Sequence, residues 1–109
     1  MAFDESLAER IRDILSRMKG VEERKMFGCV CFMLAGNALA GVWKARLIAR
    51  LGPDEGDAAL LDPHVRVFDI TGKPMRNWVA VEPEGIEDDV QLKAWVGRAV
   101  KFVRTLPKK

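Results

Sequence analysis

The sequence predicts an α+β fold, an antiparallel sheet of five to six strands packed with three helices in the order α-β-β-β(-β)-α-β-β-α. Three observations lead there. Each end of the chain carries a segment with apolar residues at helical spacing. The middle carries short apolar runs with a hairpin signal, and the links between runs are too short for parallel crossovers.

The first helix is expected from Asp4 to Met18, with Asp4 as N-cap and Leu7, Ile11, Ile14, Leu15 and Met18 on one face. Gly20 supplies the stop, and Arg17 and Lys19 sit at the negative end of the dipole. Strands follow from Lys25-Met26-Phe27, with a bend at Gly28, then from Val30 to Ala35. Gly36-Asn37 reads as a hairpin turn because both residues tolerate positive φ, and Ala38 to Trp43 returns antiparallel. In Arg46 to Leu51, Leu47, Ala49 and Leu51 alternate with Arg46, Ile48 and Arg50, one buried and one partly wet face. Gly52-Pro53 ends that run, and a short helix from Asp54 to Leu61 is closed by Asp62-Pro63. Two further strands, Arg66 to Ile70 and Asn77 to Val81, are joined by Thr71-Gly72-Lys73-Pro74, and Glu82-Pro83-Glu84-Gly85 is a turn. The last helix is expected from Asp88 to Leu106, with Leu92, Trp95, Val96, Ala99, Phe102, Val103 and Leu106 as its buried stripe and Pro107 as its end.

At 109 residues the chain has the length of one domain, spanning 1–109. A composition 49% hydrophobic and 31% charged suits a folded body, and 18 basic against 16 acidic residues is too balanced for a protein built to coat polyanions. No apolar run reaches the roughly 18 residues of a membrane helix. The start, Met-Ala-Phe-Asp-Glu-Ser, is acidic and has no signal core, so the expected compartment is the cytoplasm. Cys29 and Cys31 share one face of a strand near or beyond bridging distance, which predicts free thiols packed as small hydrophobes. With one histidine, His64, a zinc site lacks ligands, and the serines, Ser6 and Ser16, have no nucleophile elbow around them. Thr71-Gly72-Lys73-Pro74 lacks the spacing of a phosphate loop. No catalytic residue, cofactor or metal ligand is therefore expected, the alternative being an unrecognised enzyme or small-ligand binder that uses Cys29, Cys31 or His64.

Four features remain as candidates. Lys93, Arg98, Lys101 and Arg104 lie opposite the apolar stripe of the last helix, with no acid after Asp89, and could hold a polyanion or an acidic partner. The same distribution also suits a solvated helix with its bases near the C-terminus. Val30 to Ala35 is apolar on both faces, which fits either a doubly covered strand or a sheet face that binds protein, a second copy of the chain included. Trp43 and Trp78 accompany Arg46, Arg50, Arg66 and Arg76, a set that serves either base stacking or rim packing. His64 reads as a turn residue, and the acids Glu82, Glu84, Glu87, Asp88 and Asp89 as charge favouring the last helix's N-terminus.

Several short segments also carry a family resemblance. Arg24-Lys25-Met26-Phe27-Gly28, Phe32-Met33, Gly36-Asn37 and Arg50-Leu51-Gly52-Pro53 lead in order to Asp69-Ile70-Thr71-Gly72-Lys73-Pro74-Met75 and Trp78-Val79. Ala94-Trp95-Val96 and Leu106-Pro107-Lys108-Lys109 complete the series. Together they resemble the N-terminal domain of the TfoX/Sxy competence-regulator family, with Cys29 standing where that family tends to have glycine. The resemblance implies a compact α+β domain similar to the type III secretion chaperones. It also implies a non-enzymatic regulatory role in bacteria, as a coactivator working with a transcription factor of the cyclic-AMP receptor type. Full-length members carry a second, helical domain, so a stand-alone first domain is expected here.

Overall fold

The computed structural model describes residues 4–26, 29–68 and 77–107. It is α+β: α1 (Glu5–Leu15), β1 (Val21–Met26), β2 (Cys29–Leu34), β3 (Asn37–Trp43), β4 (Arg46–Arg50), α2 (Pro53–Ala59), β5 (Val65–Val67), β6 (Trp78–Val81) and α3 (Asp89–Val103), with a 3-10 turn at Pro83–Gly85. The strands make one six-stranded antiparallel sheet in the order β1-β2-β3-β4-β6-β5.

Helix α1 begins as expected, the Asp4 carboxylate accepting from the N–H groups of Ser6 and Leu7 at 2.9 and 3.3 Å. It ends at Leu15, short of Met18. The Ser16 hydroxyl donates to the Asp13 carbonyl at 2.8 Å and the Met18 N–H to the Leu15 carbonyl at 3.0 Å, tightening the chain out of the α-helix. Gly20, at φ 82°, therefore starts the strand region and does not cap the helix. Strand β1 begins at Val21, earlier than expected, because an edge strand carrying the exposed run Glu22 to Lys25 pairs through its backbone and leaves no apolar alternation to read. The β2–β3 turn is centred on Ala35 and Gly36, φ 52° and 84°, one residue before the expected pair. Asn37 is instead a strand residue, only 3% exposed, whose amide donates to the Pro107 carbonyl at 2.8 Å. The β2–β3 register skips Leu39, which lets Leu39 and Ala40 both be fully buried.

Helix α2 is shorter than expected: Pro53 occupies its first turn, Leu60 caps it, and Leu61 is 87% exposed. Strand β5 covers Val65–Val67, and Phe27, Gly28, Ile70, Arg76 and the 71–74 link lie outside the described residues. Helix α3 opens with a reciprocal cap: the Gln91 N–H donates to the Asp88 carboxylate at 2.8 Å, and the Asp88 N–H to the Gln91 side chain at 3.2 Å. Its buried stripe holds Leu92, Trp95, Val96, Ala99 and Val103, and adds Val100, while Phe102 is partly buried against the core.

The cross-strand register gives each sheet face its own residues. Partners in an antiparallel ladder project to the same side, so Val30, Val42, Leu47, Val81 and Val65 form one continuous row. That row, with Phe32, Ala49 and Val79, joins residues of α1, α2 and α3 in one core cluster. Each fully buried aliphatic or aromatic side chain there contributes roughly 1.5–3 kcal/mol. The helices all lie on this face.

Candidate functional site

The opposite face has a row of its own: Arg24, Cys31, Gly41, Ile48, Ala80 and Arg66 are successive partners across the sheet. Among the described residues no helix covers it. Ile48 and Ala80 are 5% and 4% exposed yet stand outside the helix-side core cluster. Their cover is aromatic. Phe68, following β5, places its ring 6.4 Å from that of Trp43 and 6.2 Å from that of Trp78, and all three rings stay half-exposed. Cys29, Cys31 and Met33 continue the half-exposed apolar surface toward β1.

Cations frame the aromatics. The Lys44 ammonium lies 4.9 Å and the Arg46 guanidinium 5.7 Å from the Trp43 ring centre, and Arg50 lies 6.0 Å from that of Trp78. Part of this charge is balanced on the spot, while Lys44 and Arg50 have no acidic partner among the described residues. Arg46 Nε donates to Glu82 at 2.8 Å, Arg66 comes within 4.0 Å of the same carboxylate oxygen, and Arg24 pairs with Glu22 at 3.4 Å. A depression of about 320 Å³ runs between Trp43, Phe68, Arg46, Arg66 and Glu82. Arg50 also donates through Nη1 to the Ala38 carbonyl at 3.3 Å and stacks 5.9 Å from Phe102, tying the end of β4 to α3.

The sequence grouped Trp43, Trp78, Arg46, Arg50 and Arg66 correctly as neighbours, and the structure adds Phe68 and Glu82 to them. Phe68 gave no signal because its position over β4 follows from the strand order. Glu82 was read with the acids of the last helix because it is adjacent to them in sequence.

The cations of α3 fall into separate surroundings. Lys93 is exposed in a depression with Arg10, Asp13 and Asp89. Arg98 pairs with Glu55 at 3.5 Å and lies 4.7 Å from the Trp95 ring centre, which holds it against the body. Lys101 is exposed on the outer side of the helix. Arg104 caps the helix and lines a cleft with Arg17 and Lys19.

Neither cysteine is in a disulfide. Burial pushes the Cys31 thiol up to about 11, with the neighbouring Cys29 adding to the effect and Arg24 and Arg50 opposing it. Burial raises Cys29 as well. At neutral pH both are therefore thiols, the unreactive form. The His64 backbone N–H donates to the Asp62 carboxylate at 2.8 Å and its carbonyl accepts from Glu82 at 2.8 Å, so it is built into a turn at the start of β5. Among the described residues no group of three or more His, Cys, Asp and Glu could hold a metal ion, and no helix is long and apolar enough to cross a membrane.

No curated protein matches the chain at a significant level of similarity. The family model described as the TfoX N-terminal domain matches residues 13–103. That stretch takes in the end of α1, the whole sheet with its half-exposed face, and all of α3. With this match spanning nearly the full chain, the protein belongs to the TfoX N-terminal domain family.

Proposed function

We propose that this chain is a non-enzymatic regulatory module that works by binding another protein through the sheet face that no helix covers among the described residues. The observation that carries the reading is the half-exposed Trp43–Phe68–Trp78 cluster, with Arg46 and Arg66 gathered on Glu82 beside it. Tryptophan and arginine are enriched among the residues that dominate interface energetics, tryptophan because it buries a large area with few rotors and arginine because its planar fork makes several hydrogen bonds at once. A surface that binds polyanions presents its cations free, whereas here Glu82 engages Arg46 and Arg66, Glu22 engages Arg24, and Lys44 and Arg50 lie against aromatic rings. Membership of the TfoX family supports a regulatory partner, and a transcription factor of the cyclic-AMP receptor type is the partner we assign. The test is titration calorimetry of the purified chain against such a factor, with and without promoter DNA. Trp43→Ala is expected to weaken association roughly thirtyfold, the loss of one aromatic anchor worth about 2 kcal/mol. No association under either condition sinks the assignment.

One observation favours a second reading, direct nucleic-acid binding through α3: Lys101 and Arg104 are exposed and make no ion pair among the described residues. Self-association through the same sheet face is a further outcome that sedimentation at several concentrations would reveal.

A further inference from the structure

A separate cleft of about 820 Å³ opens at the other end of the helix layer, where the segments leaving α1 and α3 meet the β2–β3 turn. Its floor is apolar: Leu34 and Val103 are 8% and 2% exposed, and Met18 and Leu106 are partly exposed. Its rim is cationic, with Arg17, Lys19 and Arg104 all exposed. Among the described residues no acidic side chain lines it.

That imbalance sets this cleft apart from its neighbours. The depression beside α1 and α3 mixes Arg10, Arg17 and Lys93 with Asp13 and Asp89. The one beneath β1 sets Arg12 against Glu23, and the one on the open sheet face sets Arg46 and Arg66 against Glu82. None of the rim cations Arg17, Lys19 and Arg104 makes an ion pair among the described residues. The helix dipole accounts for Arg104, which caps α3, but its influence fades within the last turn. Helix α1 ends at Leu15, so Lys19 lies beyond that reach.

We propose that this cleft is a docking site for an acidic peptide segment carrying a bulky apolar side chain. The apolar side chain covers Leu34, Val103 and Leu106, and flanking carboxylates meet Arg17, Lys19 and Arg104. Nucleic acid would satisfy the rim but offers the floor nothing aliphatic larger than the thymine methyl. An isolated acyl chain would satisfy the floor but, in a cleft this open, would keep much of its surface in water. The volume lies within the roughly 300–1,000 Å³ of ordinary ligand sites. The wall is held in place before binding: the Asn37 amide on the Pro107 carbonyl, at 2.8 Å, anchors the segment after α3 to the start of β3.

The test is fluorescence anisotropy with a short dye-labelled peptide in which two leucines are flanked by glutamates. Two analogues accompany it, one with glutamine for each glutamate and one with alanine for each leucine. The parent peptide is expected to bind, with affinity falling as salt rises. Both analogues, and the variants Arg17→Glu and Arg104→Glu, are expected to bind about tenfold more weakly or worse. Should a variant fail to fold by circular dichroism, the analogues carry the comparison on the unaltered protein. Equal binding of parent and glutamine analogue, displacement of the peptide by duplex DNA that binds more tightly, or no binding at millimolar peptide overturns the proposal. The sheet-face reading is tested with a different probe and a different residue, so either can fail while the other stands.

Discussion

At Gly52 the backbone leaves β4 with φ at 87°, and a Cβ built there would meet the Phe102 ring at 2.6 Å. Both the conformation and the space exclude a side chain, so Gly52→Ala is expected to cost about 2 kcal/mol or more, read as a lower urea midpoint at unchanged slope. Cys31 makes a second claim at this scale. Burial favours its neutral thiol, so the folded form keeps its proton to about pH 11 while the unfolded thiol loses it near the ordinary 9.0. A group whose folded value is raised contributes stability that is complete below the unfolded value and is lost above it. Stability is therefore expected to fall between pH 9 and 11, and Cys31→Ser to flatten that part of a urea-midpoint profile against pH. The sequence already placed both thiols on one strand face. Their burial depended on Arg24, Gly41 and Arg50 coming from other strands.

At the scale of elements, helix α3 was the most legible. Its apolar stripe is local and lies where it is expected, although the helix starts at Asp89, with Asp88 outside it as the cap, and ends at Val103, short of Leu106. Asp88→Ala is expected to cost about 1 kcal/mol, measurable as a shift in thermal midpoint, because the Gln91 N–H loses its acceptor. Strand β1 was the least legible, since its charged run owes its extended form to pairing with β2, visible only once Arg24 faces Cys31 and Glu23 faces Phe32. Glu23 then meets Arg12 of α1 at 2.7 Å, an ion pair across elements that no local pattern announces. The hairpin turn lay between these extremes. Gly36 is a turn residue as read, but the burial of Asn37 and its bond to Pro107 draw it into β3 and leave Ala35 as the other turn residue.

On the scale of the whole molecule, the sheet order inserts β6 between β4 and β5. That insertion brings Trp78 and Glu82 beside Arg46 and Arg50, and sets Phe68 between Trp43 and Trp78. It makes the open face aromatic and gathers Arg46 and Arg66 on one glutamate, which is why protein is the better partner for it than a polyanion. Charge also limits what α3 can do. Arg98 is engaged by Glu55, leaving Lys93, Lys101 and Arg104 for phosphate. Any duplex DNA binding through α3 is therefore expected to be weak, with log affinity against log salt no steeper than about −3, measured by anisotropy across a salt series. A steeper slope would require cations from another surface.

The sequence by itself determined the α+β class, the succession of helices and strands, and the want of a local catalytic motif, because these rest on periodicity, capping and residue inventory within short windows. Tertiary structure alone decided which face of the sheet no helix covers among the described residues, which cations pair with a glutamate, and where Arg17, Lys19 and Arg104 converge. Those outcomes depend on strand order and on side chains far apart in the chain, and a one-dimensional pattern carries neither.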